Sequence, residues 1–191
     1  MQSKQIDTII RGGIVVTPSG TAVRDIAISE GKIAKLGEAM AASAPTEIDA
    51  RGLLVLPGGV DTHCHIEQMS GAGLMNADTF RSATRSAAMG GTTTTVSFAA
   101  QHAGQKMRKV VGDYAALAEK GAVIDHAFHM IVADTGNGNL THDIPALIAE
   151  GHRSIKIFTT YAKVRKATGR GQDRAKIPCG LPPPRGRDRG H

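Results

Sequence analysis

Along the first forty residues, apolar and polar positions alternate in short runs broken by glycine. Ile9-Ile10 and Ile14-Val15-Val16 are separated by Gly12-Gly13, and a Pro18-Ser19-Gly20 turn follows. Asp25-Ile26-Ala27-Ile28 and Lys32-Ile33-Ala34-Lys35-Leu36 then flank Glu30-Gly31. Alternation with a period of two predicts half-buried antiparallel strands that turn at the glycines. Residues 38–46 read as a loop, and Leu53-Leu54-Val55-Leu56 is a continuous apolar run suited to a buried strand.

Beyond Pro57 the period changes. Helices are expected over residues 77–89, 106–120 and 144–150, each stopped by glycine at Gly90-Gly91, Gly121 and Gly151. Strands are expected over 92–98, 127–132 and 154–158, with an earlier one entering at 53–60. Four strands joined by helical crossovers form the signature of a parallel α/β architecture. Residues 162–191 hold four of the chain's eight prolines and show neither periodicity, so they are expected to be disordered.

Composition changes this picture in one respect. The 191 residues are 41% hydrophobic and 21% charged, which is ordinary for a globular chain. The formal net charge is +6, yet nine of the 23 basic residues lie in 162–191 against only Asp173 and Asp188, and the remainder is close to neutral. A globally basic nucleic-acid binder is therefore disfavoured, and four Phe, two Tyr and no Trp leave few surfaces for stacking bases. Cys64 and Cys179 form no disulfide framework and fit a reducing compartment. No apolar run reaches the roughly 20 residues of a spanning helix, and residues 1–8 are too polar for a signal peptide. The expected location is the cytoplasm, with no membrane partner.

The candidate chemistry begins at Pro57-Gly58-Gly59-Val60-Asp61-Thr62-His63-Cys64-His65. The period of a strand puts His63 and His65 on one face and Cys64 on the other. Two neutral imidazoles converging at a strand end suit a divalent transition metal such as zinc. Lys156 sits in an apolar strand between Ile155 and Ile157. A lysine buried there without a partner is costly as an ammonium ion, which favours its neutral amine and makes reaction with CO2 to a carbamate available. On Lys156 alone, the plainer reading is an edge-strand lysine reaching solvent. His129 reads as a hydrogen-bonded core histidine, and His102, His126, His142, His152 and His191 as surface residues. Arg108-Lys109 reads as a solvated helix face, and Gly136-Asn137-Gly138-Asn139 as a loop.

Three segments in order, residues 57–65, Ala88-Met89-Gly90-Gly91-Thr92-Thr93-Thr94, and Ser154-Ile155-Lys156-Ile157-Phe158-Thr159-Thr160-Tyr161, resemble the hydantoinase and dihydropyrimidinase family of cyclic amidohydrolases. The similarity runs over about residues 5–161. It implies a (β/α)8 barrel of the amidohydrolase type, with only about its first half present, preceded by part of a small β-sandwich domain. The expected division is 1–56 for the sandwich part, 57–161 for the half barrel and 162–191 for an aberrant basic tail. The resemblance further implies two divalent metal ions, zinc being the expected pair, with His63 and His65 binding one and a carboxylated Lys156 bridging both. A hydroxide between the metals would attack the amide carbonyl of a small cyclic substrate, and Tyr161 would bind that substrate and assist at its carbonyl. Relatives of this kind are expected to be homo-oligomers. Glu67 stands where dihydroorotases carry an arginine for a substrate carboxylate, which favours a neutral ring, a hydantoin or a dihydropyrimidine.

A closed barrel of this type needs about 250 residues, and the resemblance stops near Lys163. The expectation is a truncated relative with poor solubility and negligible turnover by itself. Two other readings stand beside it. One is a non-catalytic dihydropyrimidinase-like scaffold, which retention of His63, His65 and Lys156 argues against. The other is a basic tether for acidic surfaces or nucleic acid, which the lack of interleaved aromatics disfavours.

Overall fold

Ten residues, Thr8–Thr17, form the first strand (β1), which carries Gly12-Gly13 through its middle without ending. The computed structural model describes residues 5–70 and 73–158; Tyr161 and the segment 162–191 lie outside the described residues. A bulge between Ile10 and Gly13 shifts the register of β1 against the next strand, β2 (Gly20–Ser29). Gly12 takes φ +62°, a conformation that glycine adopts freely and that the bulge requires. The expected turns at Pro18-Ser19 and Glu30-Gly31 are present, and β3 (Lys32–Gly37) pairs antiparallel with β2.

Two further strands, β4 (Thr46–Asp49) and β5 (Leu54–Val55), run parallel to β1. The first sheet therefore has the order β3-β2-β1-β4, with β5 also on β1. Neither parallel pairing was expected from the sequence. The run 53–56 is a correction: it is not a buried strand leading into the barrel, because Leu53, Leu54 and Leu56 are 60%, 64% and 60% exposed. Leu54 and Val55 pair with Ile14 and Val15, and the ladder stops there, two residues before Pro57, which has no N–H to donate.

The second sheet contains β6 (Gly59–Cys64), β7 (Thr92–Ala100), β8 (Asp125–Ile131) and β9 (Ile155–Lys156), in that order and parallel. Helices α1 (Phe80–Met89), α2 (Met107–Gly121) and α3 (Ile144–Ala149) lie between successive strands. α1 starts three residues later than the hydrophobic pattern alone predicts, because Thr79 caps it. The Thr79 hydroxyl accepts the Ser82 N–H at 3.3 Å while the Ser82 hydroxyl accepts the Thr79 N–H at 3.0 Å. α2 is capped from a distance, with its Met107 N–H bonded to the side-chain oxygen of buried Asn139 at 2.8 Å.

By contacts the described residues divide into two units. The first holds those up to Asp61 together with Ala87–Thr94, and the second holds Thr62–Ser86 and those from Thr95 onward. The core of the second unit, between sheet and helices, includes Ile66, Phe80, Met107, Val110, Val111, Phe128, Met130, Ile144 and Leu147. Among the described residues, no helix is long and apolar enough to cross a membrane.

Candidate metal centre

β6 brings His63 and His65 to one face of the second sheet with their ring centroids 5.6 Å apart, and both are exposed. Cys64, between them, is half-buried against the core on the helix side, as the period of two requires. His65 Nδ1 lies 2.7 Å from Gln68 Oε1. That oxygen can only accept, so in the neutral ring Nδ1 carries the proton and Nε2 the lone pair.

Lys156 reaches the same face from β9. It is half-buried on the last strand of the sheet order, between a fully buried lysine and the edge-strand lysine reaching solvent that its own sequence context favours, and its surroundings are aromatic: Nζ stands 4.3 Å from the centroid of Phe98 and 5.2 Å from that of Phe158. Phe98, on β7, is 3% exposed. His65 stacks on its ring at 4.5 Å and 18°, His63 meets it edge-on at 4.8 Å, and His129 lies at 5.0 Å. One phenylalanine thus lies beside His63, His65, His129 and Lys156. Sequence reasoning treated it only as the end of a strand, although its parity with Val96 on β7 could have placed it opposite Ser97, whose hydroxyl faces the helix side and accepts the Ile66 N–H.

His129 is hydrogen-bonded, as expected, but half-buried beside Phe98 and not in the core. Nε2 donates to the Thr62 carbonyl at 2.9 Å, and Nδ1 accepts from the Ser154 hydroxyl at 2.5 Å. Both nitrogens are engaged, so His129 is not a free donor for a metal. His126 corrects an expectation: it is half-buried beside the rings of Phe80 and Phe128, with centroids 6.5 and 5.8 Å away. His152 is also half-buried. Glu67 has a structural partner, since its carboxylate accepts the Phe80 N–H at 2.9 Å at the start of α1.

Loops at the ends of β7 and β8 are tied by a satisfied polar cluster. Gln101 Oε1 accepts the N–H groups of Ala133 and Asp134, and the Asp134 carboxylate accepts those of Gly104 and Gly136. These bonds hold the carboxyl ends of the strands, where this fold places chemistry.

The donor set can be tested against a metal. Two imidazoles on one tetrahedral zinc, with Zn–N bonds near about 2.1 Å, place their ring centres roughly 5 Å apart, close to the 5.6 Å between His63 and His65. Among the described residues no group of three His, Cys, Asp or Glu side chains closes around a point. The face therefore offers two imidazoles and a lysine amine, a donor set that fits part of a metal centre.

A parallel sheet with helical crossovers and basic side chains gathered on one face defines the class, a partial (β/α)8 barrel of the amidohydrolase type. The chain is 43% identical over 162 residues to a D-hydantoinase of Streptomyces coelicolor, covering 82% of this chain and 34% of that protein. A solved D-hydantoinase structure superposes with a TM-score of 0.77 at 34% identity, covering 85% of this chain and 38% of the other. A dihydropyrimidinase from Brevibacillus agri gives 0.75 at 35% identity over 81% and 33%. No protein-family model matches. Over its N-terminal part this chain is a relative of the hydantoinase and dihydropyrimidinase group of cyclic amidohydrolases, and it spans about a third of the length of the curated relatives it matches.

Proposed function

We propose that residues 57–161 contribute the first metal-binding face of a hydrolase that opens the cyclic amide of a hydantoin or dihydropyrimidine. The observation that carries this reading is the convergence of His63, His65 and Lys156 around Phe98 on one face of the parallel sheet. The kinship with D-hydantoinases supports the substrate class.

His63 and His65 would hold one divalent ion, zinc by the nature of the donors, with Gln68 fixing the His65 tautomer so that Nε2 ligates. Lys156 would supply an anionic ligand shared with a second ion: its free amine bonds to the carbon of CO2, gives up one proton to water and becomes a carbamate. When bound, the metals acidify water and polarise the carbonyl under attack. Tyr161 would donate a hydrogen bond to the oxygen that gains charge as the ring opens. His129, hydrogen-bonded at both nitrogens, ties β8 to Thr62 and Ser154.

The test is complementation. The 191-residue chain is mixed with the remaining two thirds of the Streptomyces enzyme, supplied as a separate chain with zinc and bicarbonate. Ring opening of hydantoin or dihydrouracil is expected in the mixture and not in either chain alone. Its loss in His65→Asn and Lys156→Met would tie it to this face. A mixture that assembles and binds zinc without opening either ring overturns the reading.

A further inference from the structure

We propose that Phe98 is a positioning residue, the platform on which the two imidazoles and the lysine amine of this face are set before any metal binds. The proposal deepens the functional reading above and rests on it for the metal alone.

The argument starts from how Phe98 is buried. It is 3% exposed, yet among the described residues its buried cluster holds just Ala100 and Ile131 besides, with Tyr114 and Phe158 partly buried against them. What covers the ring is basic. His65 lies flat on it, His63 meets it edge-on and Lys156 Nζ stands over it at 4.3 Å. Phe80, by contrast, belongs to the large apolar core on the helix side, with Phe128 and His126 as ring neighbours. The negative face of an aromatic ring attracts an ammonium, and its shape accepts a stacked imidazole. Lys156 comes from β9, two strands away from β7, at the end of a long flexible side chain. Phe98 narrows that freedom and gathers three donors from two strands at one place. Phe158, at 5.2 Å, flanks the amine less closely.

The experiment uses the isotope-labelled 191-residue chain and four variants: Phe98→Leu, Phe98→Tyr, Phe158→Leu and Lys156→Met, the last to assign the lysine signal. Two quantities are read, the NMR shift of the Lys156 ε-methylene protons without metal and the affinity for zinc. In the native chain the ε-methylene signal is expected upfield of the other lysines because of the ring beneath it. It should stay there in Phe98→Tyr and Phe158→Leu, and return to the common position in Phe98→Leu. Zinc affinity should fall about tenfold or more in Phe98→Leu, the size of effect seen when a partner of a ligand is lost, and change by no more than about threefold in Phe98→Tyr.

An ordinary ε-methylene shift in the native chain overturns the proposal, and so does Phe98→Leu binding zinc like the native chain. If no form binds zinc, the metal reading falls and the lysine shift still decides the role of Phe98. If Phe98→Leu does not fold, Phe158→Leu decides: a signal that stays upfield supports Phe98, and one that moves to the common position assigns the platform to Phe158.

Discussion

Asp25 shows how much one buried carboxylate can organise. Its oxygens accept the Gly12 N–H at 2.8 Å, the Met40 N–H at 2.8 Å and the Arg11 guanidinium at 3.2 Å. Arg11 in turn donates to the carbonyls of Met40 and Ala42 and to Glu47. The N–H groups of Gly12 and Met40, and after them Arg11, hold the Asp25 carboxyl below the usual carboxylate range, with burial opposing them. A carboxyl whose value is lowered by folding stabilises the fold fully above its unfolded value and less as the pH falls below it. Thermal midpoints should therefore drop as the pH is lowered from about 5 to about 2. Asp25→Asn should melt several degrees lower at neutral pH and show a smaller acid drop; an equal drop in both proteins would remove Asp25 as the cause. Asp49, lowered to about 2 by Arg51, is exposed and adds little to that fall. None of this network was legible in the sequence, because its donors come from a bulge and a loop. His63 and His65 were legible, since a one-residue spacing on a strand fixes a shared face without knowledge of any neighbour.

At the scale of elements, periodicity located α1, α2, α3, β7 and β8 to within a few residues, because each buries one face against a single layer. It misassigned residues 53–60, where an apolar run does not say which sheet it joins. Gly58 explains how the chain passes from one to the other. A Cβ at Gly58 would overlap the Thr93 side chain, so the backbone entering β6 passes where glycine is required. Gly58→Ala should cost about 1–3 kcal/mol through overpacking, read by urea denaturation. Thr93→Ala in the same chain should recover most of it. A Gly58→Ala chain as stable as the native one would show that Thr93 yields without cost. The start of α1 is met by the local Thr79 cap and by Glu67 from a distance, and that of α2 by Asn139, partners that a hydrophobic pattern does not show.

For the whole molecule, the two units carry separate hydrogen-bond systems, the Asp25 network in the first and the Gln101–Asp134–Asn139 cluster in the second. Asp25→Asn should speed amide exchange at Ile9 and Ala27, which pair in the first sheet, and leave Val111 and Met130 protected; faster exchange at all four would refute that local effect. The order β6-β7-β8-β9 has a consequence for synthesis. Each strand lies beside its predecessor, so each can pair as it leaves the ribosome. The imidazoles of His63 and His65 emerge first, the ring of Phe98 next, then His129, and Lys156 after all of them. The amine that must find the right place is thus the last to arrive, and it meets a landing surface its own chain has already laid down.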